Sequence, residues 1–103
     1  MVDYPTISYD EIDAIIGGYH GNPFSILGPH TLEDGVVVRA FLPMANTASV
    51  IIGGEHFPMI RIKDDGFFEV VLPGKSLPLT YQLEMQTFGG DTLLYEDPYA
   101  FPS

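Results

Sequence analysis

Hydrophobic and polar positions change their period once along this chain. Near the N-terminus, Ile12, Ile15 and Ile16 fall at the three-and-four spacing of one helix face. Ser8 precedes Glu11 by three positions, the spacing of a capping box, in which each side chain accepts the other's free backbone N–H. Ile7 and Ile12 occupy the two positions of a hydrophobic staple. Asp10, Glu11 and Asp13 favour the positive end of the helix dipole, and Gly17-Gly18 supplies the stop. The pattern predicts one short N-terminal helix over about residues 9–16, docked on a sheet edge.

After Pro23 the period becomes two. Val36, Val38, Ala40 and Leu42 alternate with Val37, Arg39 and Phe41, the pattern of a strand with one buried face that ends at Pro43. Ala48 to Ile52 is a second run, closed by the hairpin-type pair Gly53-Gly54. Met59 to Lys63 follows, and Asp64-Asp65-Gly66 offers a tight turn into Phe67 to Leu72, which Pro73-Gly74 breaks. Leu79 to Thr87 alternates again, with Tyr81, Leu83 and Met85 on one face. Gly89-Gly90 then turns into a last short strand, Thr92 to Tyr95. With a short strand near Ser25 to Leu27, this makes about seven strands from about residue 25 to residue 95, with a turn signal about every ten residues. Such spacing predicts a mainly β chain: an immunoglobulin-like antiparallel β-sandwich with one short helix. A closed small barrel is the competing architecture. No internal repeat, low-complexity tract or linker interrupts the pattern, so residues 1–103 are expected to form one domain.

Composition narrows the partners. Hydrophobic residues make up 46% of the chain and charged residues 17%, a globular balance. There is no cysteine, so a disulfide framework and thiolate chemistry are excluded and a cytoplasmic address is the default. No run approaches the ~18 apolar residues of a membrane span, and no basic region followed by an apolar run suggests a secretion signal. Fourteen acidic residues against four basic ones give a formal charge of −10. A surface of that sign repels phosphate backbones and anionic lipid, so neither nucleic acid nor membrane is expected as a partner. A neutral ligand such as a glycan, or another protein, fits better.

The usual catalytic and metal constellations do not form. His20, His30 and His56 follow no metal-ligand spacing, although His20 and His30 flank one loop and read as ordinary hydrogen-bonded residues. Ser25 and His30 lack the G-x-S-x-G elbow of a nucleophilic serine. The paired carboxylates Glu33-Asp34 and Asp64-Asp65 each precede a glycine. Turn chemistry explains both, with glycine expected to supply a positive φ. There is no phosphate loop or dinucleotide fingerprint, so no catalytic, cofactor or metal site is expected.

Aromatic and imidazole side chains are the remaining lead. Tyr19, His20, Phe24 and His30 crowd one segment, and Tyr95, Tyr99 and Phe101 crowd the other end of the chain. Flat rings stack on sugars, so these seven are candidates for glycan contact, or for contact with a neighbouring domain. Capping the ends of the sandwich is their commoner use, and the absence of tryptophan weighs against a strong sugar platform.

The segment His20-Gly21-Asn22-Pro23-Phe24-Ser25-Ile26-Leu27-Gly28-Pro29-His30 resembles the H-x-[DN]-P-F-x-[VI]-L-G-x-H signature near the start of bacterial glycogen branching enzymes. Val38-Arg39-Ala40-Phe41-Leu42-Pro43 with Ala45, Gly66-Phe67-Phe68-Glu69, Leu72-Pro73-Gly74, Tyr81 with Leu83, and Asp97-Pro98-Tyr99 with Phe101 follow in that family's order. The resemblance runs from about residue 9 to the end of the chain. It implies the first N-terminal β-sandwich module of such an enzyme, related to the carbohydrate-binding modules of family 48. It further implies partners within the same polypeptide: a second β-sandwich and an α-amylase-like (β/α)₈ barrel. The barrel, which carries the nucleophilic Asp and the acid/base Glu, needs ~250 residues and cannot be contained here. The parent enzyme moves α-1,4-glucan segments to make α-1,6 branches in glycogen biosynthesis. The implied role of the module is non-catalytic: it braces the enzyme and tunes its use of glucan chains. A weak stand-alone glycan-binding module and a free-standing protein-interaction sandwich are the alternatives.

Overall fold

The helix forms where its signals stand, but it docks elsewhere than expected. The computed structural model describes residues 2–100, and in it α1 spans Tyr9–Gly17. The Ser8 hydroxyl accepts the N–H of Glu11 at 3.3 Å, and Gly18 caps the other end with a left-handed φ of 74°. Only half of the capping box closes. The Glu11 carboxylate turns instead to Nε2 of His20, 2.5 Å away.

Eight strands build the rest: β1 (Gly28–Leu32), β2 (Gly35–Phe41), β3 (Ala45–Ile52), β4 (Glu55–Pro58), β5 (Ile60–Lys63), β6 (Phe67–Pro73), β7 (Gln82–Thr87) and β8 (Thr92–Tyr95). They form two antiparallel four-stranded sheets, ordered β1-β2-β6-β5 and β4-β3-β7-β8. This is the strand arrangement of an immunoglobulin-like sandwich. Three expectations shift. Residues Pro23–Ser25 form a 3₁₀ turn, not a strand, and β1 begins after them at Gly28. Proline at the start of that turn sets the φ it needs and withholds an N–H from a ladder. A further strand, β4, pairs back on β3 across Gly53-Gly54. It was missed because Glu55-His56 breaks the apolar alternation. Residues 79–81 precede β7 and are not part of it.

The main core lies between the sheets, where Val36, Val38, Ala40, Phe68, Val70 and Leu72 face Ala48, Val50, Tyr81 and Leu83. Arg61 closes one end of it. Its guanidinium donates to the carbonyls of Ala45 and Asn46, each at 2.7 Å, and lies 4.7 Å over the Phe68 ring. At the turn before β2, Gly35 is required for space and not for φ, because a Cβ there would stand 2.4 Å from the Leu72 carbonyl oxygen. The other paired-acid turn does need conformational freedom: Gly66 holds φ at 109°.

The outer face of the first sheet is the chief departure from the alternation reading. Val36, Val37 and Val38 are all fully buried, so β2 is covered on both faces. A second core sits on that outer face, where Ile12 and Ile15 of α1 pack with Ile26, Leu27 and Phe67, joined by Ile7, Phe41 and Tyr99. Thus α1 lies over the sheet and not at its edge. Beside these apolar groups, Arg39 and Glu69 face each other across β2 and β6, 5% and 0% exposed, with Nε donating to Oε2 at 3.0 Å. Burying two charges costs several kcal/mol per ion unless their remaining hydrogen-bonding positions are filled. Here they are filled by the N-terminal strap. The Thr6 N–H donates to both Glu69 oxygens at 3.0 and 3.2 Å, and the Thr6 hydroxyl donates to Oε2. The same hydroxyl accepts from the Arg39 guanidinium, whose Nη1 donates to the Ile26 carbonyl at 3.2 Å. Where β5 stops, the Tyr4 hydroxyl accepts the open N–H of Val71 at 3.0 Å.

The last described residues are anchored by a second buried carboxylate. Asp97, 3% exposed, accepts the Tyr81 hydroxyl at 2.5 Å on one oxygen and the Tyr99 N–H at 2.9 Å on the other. The Tyr95 hydroxyl is buried with no hydrogen-bond partner among the described residues. Burial first, and then Asp97, push the Tyr95 phenol up to about 12 and the Tyr81 phenol further still.

Three outcomes follow for the 103-residue chain, each read by urea unfolding. Ile12→Ala should cost about 2–5 kcal/mol, since its side chain fills the second core. Glu69→Gln should cost about 3–5 kcal/mol by leaving Arg39 buried and uncompensated, whereas Arg39→Met with Glu69→Leu should cost less than Glu69→Gln alone. With pH, both tyrosines stay protonated in either state below the unfolded value of about 10. Above it the unfolded chain releases protons that the folded chain retains. Stability should therefore fall from about pH 10 upward, by up to about 1.4 kcal/mol per pH unit for each phenol. Tyr81→Phe should remove one proton from that slope; an unchanged slope would refute the assignment.

Candidate functional site

The two aromatic-rich segments meet at one end of the sandwich. The 3₁₀ turn Pro23–Ser25 carries Phe24, and its ring stands edge-on to Tyr99 with centroids 4.8 Å apart and planes at 61°. Backbone contact is closer still. Gly28 has a φ of 85°, and a Cβ there would lie 2.2 Å from the Tyr99 carbonyl oxygen. The glycine of the H-x-N-P-F-S-I-L-G-P-H segment is thus required by the chain end that packs upon it. The Asp97 side chain holds the Tyr99 N–H from the other side, and Ala100 closes a turn onto the Asp97 carbonyl at 3.0 Å.

Beside this junction opens a cleft of about 780 Å³. Phe24, Ser25, Leu27, Pro29 and His30 form one wall, the loop of residues 77–80 forms the other, and Tyr99 and Ala100 lie between. His30 Nε2 donates to the Leu27 carbonyl, 3.0 Å away, and the Ser25 hydroxyl donates to the Asn22 carbonyl at 2.7 Å. A smaller recess of about 220 Å³ lies on the other side of Tyr99, between α1 and Phe41, and His20 lines it. The His20 ring is fixed at both nitrogens: Nδ1 accepts the Asn22 N–H at 3.0 Å, and Nε2 meets Glu11.

The seven candidate residues therefore divide. Phe24, His30 and Tyr99 share the large cleft, and His20 lies in the neighbouring recess. Tyr19 stands apart and 70% exposed, its ring lying where a Cβ on Gly17 would be. Tyr95 turns inward against the main core, its hydroxyl buried. Phe101 lies outside the described residues. The sequence reading missed the wall made by Leu77, Pro78 and Leu79. It had assigned Leu79 to a strand, yet Leu-Pro-Leu between Gly74 and Tyr81 is an apolar run in a loop, and that is the signal which marks it. Among the described residues, no group of three His, Asp or Glu side chains is placed to hold a metal ion. Nor is any described helix long and apolar enough to cross a membrane.

Comparison with known proteins agrees with this framework. The structure of a pullulanase from Bacillus acidopullulyticus superposes with a TM-score of 0.55 over 66% of this chain and 9% of that one, at 17% identity, which is a shared fold. The 1,4-alpha-glucan branching enzyme GlgB of Paramagnetospirillum magneticum is 40% identical over 96 residues, covering 93% of this chain. Its counterpart in Rhodopseudomonas palustris strain HaA2 is 45% identical over 95 residues, covering 90%. The chain spans only 13% of the length of either enzyme. Residues 8–99 match the family model for the N-terminal domain of alpha-1,4-glucan branching enzyme GlgB, and the chain belongs to that family.

Proposed function

We propose that residues 1–103 form one non-catalytic accessory β-sandwich of a cytoplasmic 1,4-α-glucan branching enzyme. The observation that carries this reading is the match of residues 8–99 to that enzyme's N-terminal domain, by a chain spanning 13% of its relatives' length. The whole enzyme would transfer α-1,4-glucan segments to 6-hydroxyls, making α-1,6 branches for glycogen. Its catalytic carboxylates belong to a barrel beyond this segment, and the sandwich braces that barrel and tunes the chain lengths it handles. The geometry supports bracing. An arm can transmit orientation only if its junction is stiff, and here the last described residues are held by a buried carboxylate, a ring contact and a glycine close approach. Phe24, His30 and Tyr99 are the candidate contact residues that best fit this role, with His20, Tyr19 and Tyr95 outside the shared cleft.

Removing residues 1–100 from the full-length enzyme should leave glucan transfer in place and shift the branch-length distribution, read by enzymatic debranching and chain-length profiling. An unchanged distribution would refute the tuning role.

A further inference from the structure

The large cleft is apolar in a molecule that is otherwise strongly acidic. Fourteen acidic residues occur in the sequence, yet no Asp, Glu, Lys or Arg lines the cleft among the described residues. Phe24, Pro29, Leu77, Leu79 and Tyr99 are among its apolar lining, and Leu77 is 42% exposed. A mostly apolar concavity free of charged side chains marks a contact site.

Two features decide what fills it. First, no charged side chain among the described residues lines it, and two of its polar side chains are engaged within the module: the Ser25 hydroxyl donates to the Asn22 carbonyl and His30 Nε2 donates to the Leu27 carbonyl, leaving Asn22, Thr80 and Tyr99 as the other polar side chains there. A glucan presents hydroxyls around every ring, and burying them without partners costs free energy for each one. Most of the lining is apolar, so the cleft suits an uncharged apolar protein surface better than a sugar. Second, the chain leaves at its rim. Tyr99 and Ala100 line the cleft, and the Asp97 side chain and the Gly28 contact fix them there. Polypeptide that continues from this point begins beside the cleft, so its effective concentration there is high.

We propose that this cleft is the seat of an apolar, uncharged surface from the same polypeptide, contributed by the domain that follows this one in the full-length enzyme. The proposal rests on reading the chain as a module of a larger enzyme, and it assigns the face by which the module is mounted.

The test uses the full-length enzyme carrying a photo-crosslinking benzophenone amino acid in place of Leu77, with the same probe at exposed Thr47 of β3 as control. Irradiation and peptide mass spectrometry should show crosslinks from position 77 to residues beyond 103 of the same chain. Crosslinks only to added maltoheptaose, only to a second copy, or to nothing would each overturn the proposal. A second variant, Leu77→Asp, places a charge in the cleft at a side chain outside both cores. It should raise the rate of proteolysis at the junction after residue 103 by about tenfold, as loss of a buried interface anchor does, with the module's own melting transition unchanged. An unaltered cleavage rate would overturn it as well. Branch-length profiles of the truncated enzyme report separately on the tuning role: a shifted profile without crosslinks removes only the mounting face, and crosslinks with an unshifted profile remove only the tuning.

Discussion

Two charges buried on the wrong side of a sheet govern this fold. Arg39 and Glu69 stand on the outer face of β2 and β6, where a sandwich ordinarily meets water, and both are almost wholly enclosed. An ion pair in that position is tolerable only if every remaining donor and acceptor is met. The Thr6 backbone and hydroxyl, together with the Ile26 carbonyl, give each Glu69 carboxylate oxygen and each Arg39 guanidinium nitrogen at least one partner. That requirement pins the N-terminal strap and the segment before β1 to the same face. With both pinned, α1 lies between them and buries Ile12 and Ile15 over Phe67. The second core is thus organised around a polar centre, and its apolar groups shield that centre from water.

The consequences reach the other end of the chain. Leu27 belongs to the second core, and Gly28 directly after it receives the Tyr99 backbone. Tyr99 joins that core on one side and lines the large cleft on the other. Holding the 3₁₀ turn and Gly28 in place through Ile26 and Leu27 therefore also places the surface against which the chain end is fixed. Asp97 completes the lock from the main core, since one of its oxygens takes the Tyr81 hydroxyl while the other takes the Tyr99 N–H. The segment that carries Tyr99 is thus coupled to both cores.

Much of the architecture was legible because local chemistry and global fold agree. Ser8 and Gly18 bound the helix where the sequence indicates, and the glycine turns delimit β3, β6 and β8 close to where the alternation places them. The strand near Ser25 failed because Pro23 favours a tight turn over a ladder. The helix was assigned to an edge because alternation implies one wet face, and Arg39 and Glu69 look like that face in sequence. Only the three-dimensional partnership with Thr6 reveals that they are buried. Within the candidate site, Phe24, His30 and Tyr99 were legible from composition and motif order. Tyr95 was not, because the pleat that turns its ring inward is set by pairing with Leu83. Leu77 was missed because apolar residues in a loop carry no periodicity.

Rigid mounting of this sandwich on a larger enzyme, as proposed, is open to direct measurement. Time-resolved fluorescence anisotropy tests it directly, with a dye attached at Thr47→Cys in a full-length enzyme free of other reactive cysteines. The sandwich itself has no cysteine to compete for the dye. Rigid mounting predicts that, beyond the dye's own local motion, the decay follows the slow tumbling of the whole enzyme. A distinct faster phase corresponding to an independent 11.3 kDa body would contradict it.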